Sequence, residues 1–274
     1  MSPIQTTIID NLAIRYAASI SGFAESILLL NPLPESIWAF EPIWDKLAEK
    51  FNVIAIDLPG FGRSQIREAL LSPVVMAGFV KKAIDHFDLG PMHIVGPDVG
   101  SSVAMFVGQY HPDRIKSAVV GSAACVLPIC SDGILTGMIL DPDMDTLKSY
   151  GSKAIINGAL ANMTSYQLSH DVREDYLVSY EDGRFWDTMK FLKSLPAGLS
   201  KLDMDNLRLP VLIIWGETDP LAILKNGEIL HERLPNNEFH VLPSGHYAWE
   251  DTHESYAELI TEWVSNGYKR DHTY

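Results

Sequence analysis

Six short apolar runs alternate with amphipathic stretches in this chain, and that alternation constrains its fold more than any other feature. The runs are rich in Val, Ile and Leu and are mostly continuous, which is typical of strands buried on both faces of a parallel sheet. They occupy residues 27–30, 53–56, 93–95, 118–120, 211–215 and 238–242. Helical stretches are predicted at residues 43–51, 74–87, 101–110, 221–234 and 255–266. This order predicts βαβ units and an α/β fold with a mostly parallel, doubly wound sheet.

Two segments depart from this alternation. Residues 4–17 fit an antiparallel hairpin that turns near Asp10 and Asn11. Residues 127–202, called the cap segment below, are rich in Met, Tyr and Trp at helical spacing. An all-helical insertion between parallel strands can cover their carboxyl ends, where ligands bind in open α/β sheets. We therefore predict a core domain from residues 1–126 and 203–274, with a helical cap inserted after the sixth strand.

The most informative motif lies in residues 93–102, HIVGPDVGSS. A buried strand runs into Gly-Pro-Asp-Val-Gly and a helix follows, which is the G-x-nucleophile-x-G pattern of a nucleophile elbow with Asp98 at its apex. Glycine is needed at Gly96 and Gly100 because larger side chains would collide with neighbouring backbone at this sharp turn. The helix N-terminus favours a negative charge at the apex. Taken alone, the motif is a weak signal, because an aspartate that caps a helix is a common reason for the same pattern.

Two later loops supply partners for this residue. The strand at 211–215 ends in an acidic loop that contains Asp219, with Glu217 as the less favoured alternative. The strand at 238–242 leads into Gly245-His246. A nucleophile, an acid and a histidine in this order match the order of α/β-hydrolase sites.

The chain resembles the α/β-hydrolase family over roughly residues 4–268, apart from the cap segment. The motifs that carry the resemblance are DLPGFGRS at 57–64, WGETDP at 215–220 and SGH at 244–246. The resemblance implies the α/β-hydrolase fold. It further implies that Asp98 is the nucleophile, that His246 is the general base and that Asp219 orients the histidine.

The aspartate at the elbow resembles one subgroup of that family, the epoxide hydrolases and haloalkane dehalogenases. A carboxylate can displace a leaving group at an sp3 carbon and form an ester, which water activated by His246 then hydrolyses. The resemblance therefore implies a hydrolase that forms a covalent alkyl-enzyme ester with a small hydrophobic substrate, most of all an epoxide.

The loop at residues 30–36, LNPLPES, resembles the oxyanion loop of the same subgroup. Its Pro-Glu-Ser matches, whereas Asn-Pro replaces the usual His-Gly. Because Pro32 and Pro34 have no N–H, Leu33 is the available donor between them. The N–H groups of Leu33 and Val99 are thus the predicted oxyanion hole.

Two departures affect the choice of substrate. Pro97 and Val99 flank Asp98, where the subgroup usually has His and Trp. Val99 has no indole N–H to hold a departing halide, so epoxide opening is favoured over halide removal. Trp38, near the oxyanion loop, is the candidate replacement and a predicted substrate contact.

In the subgroup, cap tyrosines protonate the epoxide oxygen. The candidates here are Tyr150, Tyr166, Tyr176 and Tyr180, of which Tyr166 and Tyr180 are the favoured substrate contacts. For each of the four, packing within the cap segment is the more common role of such a tyrosine. The Met and aromatic content of the cap segment predicts an apolar pocket and a small or medium hydrophobic substrate.

Three alternatives keep the same fold. The chain is a haloalkane dehalogenase in the first. In the second, His246 is the base of a cofactor-free lyase or cyclase and Asp98 does not attack. In the third, the chain is a non-catalytic ligand-binding protein, although such a protein would not need both His246 and Asp219.

Composition narrows the partners. The formal net charge of −14 disfavours nucleic-acid and membrane-surface binding. Cys125 and Cys130 are too few for a disulfide framework or a zinc site. Because residues 1–16 also do not resemble a signal peptide, we expect a cytoplasmic protein. Neither metal-ligand spacing nor a Gly-rich dinucleotide loop is present in the sequence, so we expect no cofactor. The sequence leaves homo-oligomerisation open.

Overall fold

A computed structural model describes residues 1–131, 133–141 and 144–266 of the chain. Its strands are β1 (Gln5–Ile9), β2 (Leu12–Ser19), β3 (Ser26–Leu30), β4 (Asn52–Ile56), β5 (Met92–Pro97), β6 (Ile115–Gly121), β7 (Val211–Gly216) and β8 (Asn237–Leu242). They form one sheet in the order β1-β2-β4-β3-β5-β6-β7-β8. Strands β3 to β8 are parallel to one another, whereas β2 pairs antiparallel with both β1 and β4. The predicted α/β fold with a mostly parallel sheet is confirmed.

The helices outside the cap segment are α1 (Glu41–Ala48), α2 (Pro73–Phe87), α3 (Val99–Tyr110), α9 (Lys225–Arg233), α10 (Ala248–Asp251) and α11 (His253–Ser265). Helices α1 and α11 pack on each other, and α2 packs on α3. The central strands β3, β4, β5 and β7 are buried at every position, as the continuous apolar runs predict.

Among the boundaries that differ from prediction, two have a local reason. Helix α9 begins at Lys225 rather than at residue 221, because Asp219 Oδ1 accepts the N–H groups of Leu221 and Ala222 at 2.9 Å each and holds them in a turn. Helix α3 begins at Val99, two residues early, because the elbow passes directly into the helix. The hairpin turns at Asp10 and Asn11, which both have positive φ, as predicted.

The cap segment lies between β6 and β7 and is helical, as its pattern predicts. Its helices are α4 (Ile134–Leu140), α5 (Asp145–Tyr150), α6 (Ser152–Asn162), α7 (His170–Ser179) and α8 (Arg184–Leu199). The division into two domains at residues 126/127 and 202/203 stays a prediction. Within the described ranges, none of the helices has the length and hydropathy needed to span a bilayer.

A buried ion-pair network joins the cap segment to the sheet. Arg15 on β2 donates through Nε to Asp57 Oδ2 at 2.6 Å and through its two terminal nitrogens to both oxygens of Asp175 on α7, at 2.7 and 2.8 Å. All three side chains are less than 10% exposed. Since removal of one partner from such a network leaves a buried charge unpaired, Arg15 fixes α7 against the edge of the sheet.

Candidate active site

Asp98 stands at a strained turn between β5 and α3. Its backbone has φ 49° and ψ −122°, an unfavourable conformation for a residue with a side chain. The turn is tight: a Cβ on Gly96 would lie 2.6 Å from the carbonyl oxygen of Gly100. The Asp98 carboxylate is 14% exposed and projects from the turn instead of capping its own helix. The alternative of an ordinary N-cap aspartate therefore does not apply.

A backbone amide holds one oxygen of this carboxylate, because Leu33 N–H donates to Asp98 Oδ2 at 2.8 Å. The N–H of Val99, the next residue in the chain, lies close enough to the carboxylate to favour its charged form. Burial raises the pKa of Asp98, while the nearby His246 and these two amides oppose the rise by favouring the charged form. The two predicted oxyanion donors thus converge on the predicted nucleophile.

Asn31 fixes the loop that carries Leu33. Its amide donates to the Pro32 carbonyl at 2.9 Å, and its Oδ1 accepts the N–H of Leu58 at 2.8 Å. Asn31 is fully buried and occupies the position at which the usual motif has histidine. The substitution therefore still ties the oxyanion loop to the end of β4.

His246 lies between the two aspartates. Its Nδ1 is 2.8 Å from Asp219 Oδ2, and its Nε2 is 3.9 Å from Asp98 Oδ1. Burial alone would lower the pKa of His246, but the charges of Asp219 and Asp98 outweigh it and the net direction is upward. The 3.9 Å separation exceeds a hydrogen bond, and Nε2 has no hydrogen-bond partner within the described part of the chain. The arrangement can orient a base and leave its free nitrogen for a bound molecule.

The loop that precedes α7 contacts the histidine loop. The N–H groups of His246 and Tyr247 donate to the Met163 carbonyl at 3.1 and 3.4 Å. Asp251 Oδ1 accepts the hydroxyl of Thr164 and the N–H of Tyr166, at 2.7 and 3.1 Å. The position of His246 is therefore coupled to the cap segment.

A cavity of about 400 Å³ lies above Asp98, between the core and the cap segment. Most of its lining comes from α4, α6 and α8, and the lining is apolar apart from four residues: Asp98, Tyr150, Asn162 and Tyr247. Tyr150 is 64% exposed, and Asn162 is also exposed. The polar side chains buried in the cavity are thus Asp98 and Tyr247.

Three predicted substrate contacts need correction, because Trp38, Tyr166 and Tyr180 do not line this cavity. Tyr180 is fully buried, donates to the Glu35 carbonyl at 2.9 Å and accepts the N–H of Gly62 at 3.2 Å. Tyr166 is half-buried and packs edge-on against His253. Tyrosines and tryptophans are recognisable in a sequence, but which way they face depends on how the cap helices pack.

Of the two other cap candidates, Tyr150 lines the mouth of the cavity, whereas Tyr176 is buried elsewhere and donates to Glu250 Oε1 at 3.2 Å. Glu217 is exposed and takes no part in the contacts of His246, so Asp219 is the acid at the histidine. Burial raises the pKa of the free thiol Cys125 to about 12, which removes it as a nucleophile at neutral pH.

Sequence analysis missed two residues of this region, Tyr247 and Glu250. Both follow His246 closely, by one and four residues, and the only available signal was a polar side chain next to the histidine. Glu250 and Glu35 share a buried compartment in which Trp249 Nε1 donates to Glu35 Oε1 at 3.1 Å. Burial raises the pKa of Glu250 to about 7, and burial together with the charge of Glu250 raises that of Glu35.

In the described part of the chain, no group of three or more His, Cys, Asp or Glu residues is arranged to hold a metal ion. The site itself offers a carboxylate, an oriented imidazole and a phenol from its side chains, with the backbone N–H groups of Leu33 and Val99 beside the carboxylate.

Comparison with known proteins agrees with the topology. Residues 25–148 match the α/β-hydrolase fold family. A curated relative, the uncharacterized hydrolase YugF of Bacillus subtilis, is 22% identical over 96% of this chain and 98% of its own. The 2-hydroxy-6-oxononadienedioate/2-hydroxy-6-oxononatrienedioate hydrolase of Paraburkholderia phymatum is 26% identical over 78% of this chain and 76% of its own.

Among solved structures, the epoxide hydrolase VrEH1 of Vigna radiata superposes with a TM-score of 0.79 at 16% identity, covering 96% of this chain and 98% of that one. At this identity the likeness concerns the fold. The chain has the α/β-hydrolase fold.

Proposed function

We propose that this chain is a hydrolase of the α/β fold that uses Asp98 as a nucleophile on a small hydrophobic electrophile, with an epoxide as the favoured substrate. The observation that carries the proposal is that the two oxygens of Asp98 have different surroundings. Oδ2 is held by Leu33 N–H at 2.8 Å, whereas Oδ1 lies 3.9 Å from His246 Nε2, beside the cavity.

In the first step, Asp98 Oδ1 attacks an sp3 carbon of the substrate, the carbon–oxygen bond of the epoxide breaks, and an ester forms. Because Leu33 N–H already holds Oδ2, the carboxylate is oriented before substrate arrives. Its strained backbone holds the side chain out of the turn, so attack requires little rearrangement.

In the second step, His246 removes a proton from water, and the hydroxide attacks the carbonyl carbon of the ester. The carbonyl oxygen then derives from Oδ2, and the N–H groups of Leu33 and Val99 stabilise the negative charge that develops on it. One such donor typically contributes about 2.7–4 kcal/mol to lowering the barrier. Asp219 keeps the proton of His246 on Nδ1, so that Nε2 is free to act as the base.

The cavity supports the substrate class. Its volume of about 400 Å³ and its apolar lining suit a small or medium hydrophobic molecule. None of the described residues that line it is a tryptophan, and the indoles of Trp249 and Trp215 donate to Glu35 and to the Ala222 carbonyl. A halide would therefore lack an indole donor, which favours the epoxide over the haloalkane. The fold shared with an epoxide hydrolase is compatible with this choice.

Isotope labelling tests the proposal. During repeated turnover of an epoxide in heavy-oxygen water, one oxygen of Asp98 should exchange, because the water that attacks the ester is incorporated into the carboxylate. Mass spectrometry of the peptide that contains Asp98 measures the label, and the peptide that contains Asp219 is the internal control. An unlabelled Asp98 during active turnover would overturn the proposal in favour of a lyase or cyclase that uses His246 as its base. No turnover at all, together with ligand binding, would favour a non-catalytic member of the fold.

A further inference from the structure

One buried phenol faces the cavity without a partner. Tyr247 is 1% exposed, lines the cavity together with Asp98, and makes no hydrogen bond through its hydroxyl within the described part of the chain. Buried phenols normally find a hydrogen-bond partner. Tyr176 and Tyr180 do so, with Glu250 and with the Glu35 carbonyl. The donor of Tyr247 is therefore unused until a ligand enters.

We propose that the Tyr247 hydroxyl is the acid that protonates the leaving oxygen of the substrate. This inference rests on the proposed function, since it needs a substrate whose leaving atom takes up a proton. The position agrees with the role, because Tyr247 follows His246 directly in the chain and its ring centroid lies 5.2 Å from that of the imidazole. Of the cap tyrosines, Tyr166 and Tyr180 do not line the cavity, and Tyr150, which does, is 64% exposed. The buried phenol at the cavity therefore comes from the core.

The proton balance closes without another reactant. As Asp98 Oδ1 bonds to carbon, the electron pair of the broken carbon–oxygen bond moves to oxygen, which takes the proton of Tyr247. In the second step His246 takes one proton from the attacking water, and the hydroxide adds to the carbonyl carbon of the ester. When the bond between that carbon and Oδ1 breaks, the departing product oxygen takes the other proton of the water and Asp98 is again a carboxylate, while His246 passes its proton to the tyrosinate. The net reaction is epoxide plus water to diol, and both side chains return to their initial protonation states.

The charges around Tyr247 determine at which point of the reaction its hydroxyl gives up a proton. Burial and the charges of Glu35, Glu250, Asp98 and Asp219 raise the pKa of Tyr247 well above its usual value, so the resting phenol is protonated. Ester formation neutralises Asp98 and removes one of these charges from the surroundings of the phenol. Tyr247 therefore becomes a stronger acid as the leaving oxygen gains charge.

The test compares leaving groups that need a proton with those that do not. In a His246→Gln variant the ester should accumulate, and its added mass can be followed with styrene oxide and with 1-bromo-2-phenylethane. Adding Tyr247→Phe should slow adduct formation with the epoxide about 10²–10⁴-fold, the usual contribution of a general acid. The rate with the bromide should change less than about threefold, because bromide leaves as an anion. The thermal unfolding temperature of the double variant, expected to match that of the His246→Gln parent, reports that it is folded whether or not the bromide reacts.

Tyr256→Phe is the matched control, since Tyr256 is a buried phenol with an unpartnered hydroxyl that does not line the cavity. It should leave both rates unchanged. An equal loss with both electrophiles, or no loss with the epoxide, would overturn the role of Tyr247 while leaving the nucleophile intact. Absence of any adduct in the His246→Gln variant would overturn the covalent function and this inference together.

Discussion

Leu33 N–H donates a 2.8 Å hydrogen bond to Asp98 Oδ2, so the predicted oxyanion hole is already filled by one oxygen of the predicted nucleophile. This contact makes the two oxygens of Asp98 inequivalent. Oδ2 is fixed by backbone, and Oδ1 stays near His246 and the cavity. A serine at this apex would have only one oxygen and could not fill the hole and attack at the same time. The arrangement therefore suits a carboxylate nucleophile.

Asp219→Asn tests the orientation of His246. The asparagine can still accept the N–H groups of Leu221 and Ala222 through one oxygen, so the loop should keep its shape. Its amide nitrogen, however, would face His246 Nδ1 and favour the wrong tautomer. We expect kcat to fall about 10²–10⁴-fold with little change in thermal unfolding temperature. Glu217→Gln is the control, since Glu217 is exposed in the same loop; a comparable loss there, or full activity in Asp219→Asn, would contradict this assignment.

The pH dependence of the two chemical steps should differ. Ester formation needs an ionised Asp98, and because its pKa is raised from 3.8 this step should fail on the acid side. Ester hydrolysis needs neutral His246. Since Asp219 raises the pKa of His246 above 6.5, hydrolysis should speed up as the pH rises through that higher value. In the ester Asp98 carries no charge, so the carboxylate that raises the pKa of His246 at this stage is that of Asp219.

Rapid-quench single-turnover measurements between pH 5 and pH 9 separate the two rates. The ester should accumulate at low pH, where its hydrolysis is slower than its formation. Hydrolysis that slows as the pH rises from 6 to 8 would be inconsistent with His246 as the base.

Gly96→Ala tests the elbow. The new Cβ would lie 2.6 Å from the Gly100 carbonyl oxygen, which is backbone and cannot rotate away. We expect a loss of about 2 kcal/mol or more in the free energy of unfolding, together with loss of activity as Asp98 shifts. Gly78→Ala, in the middle of α2 with open space around its Cβ, should instead be neutral or stabilise by up to about 1 kcal/mol. Urea unfolding measures the free energy of unfolding of both variants. Equal stabilities would contradict the close contact between a Cβ at position 96 and the Gly100 carbonyl oxygen.

The sequence predicts those parts of the fold in which burial leaves a recognisable pattern over a few consecutive residues. The strands were predictable because a strand covered on both faces is a continuous apolar run, as in β3 and β7. Asp98, Asp219 and His246 were predictable because each follows a buried strand at a recognisable turn.

The remainder depended on packing between elements. Tyr180 and Tyr247 are both tyrosines that are 1% exposed or less, yet only Tyr247 lines the cavity. The backbone of Tyr247 is held against the cap segment by a bond between its N–H and the Met163 carbonyl at 3.4 Å, a contact between distant parts of the chain that no local pattern predicts. No local pattern predicts the proximity of Glu35 and Glu250 either; the indole of Trp249, next to Glu250, reaches Glu35 across 214 positions of the chain.

Glu35 and Glu250 bring two carboxyl groups into one buried compartment behind His246. Trp249 donates to the first and Tyr176 to the second, but none of the charged groups that shift the pKa of either glutamate is a cation. Two buried like charges are costly, so at least one group holds a proton near neutral pH. The folded state therefore binds protons that the unfolded chain has released.

Glu250→Gln should consequently stabilise the protein at alkaline pH. The pKa of Glu250 is 4.5 when unperturbed and about 7 when folded, so the native state holds the extra proton between these values and stability falls as the pH rises through them. At about 1.4 kcal/mol per tenfold change in proton affinity, this costs the wild type about 3 kcal/mol above pH 7. The glutamine keeps an oxygen to accept the Tyr176 hydroxyl and never ionises. Denaturant unfolding at pH 5 and pH 8 should therefore show a variant within about 1 kcal/mol of wild type at the lower pH and more stable than wild type at the higher pH.

Glu254→Gln, at an exposed position on α11, should show no such pH-dependent gain. If Glu250→Gln instead destabilises the protein equally at both pH values, the glutamate is held as an ionised hydrogen-bond acceptor and the compartment does not carry a shared proton.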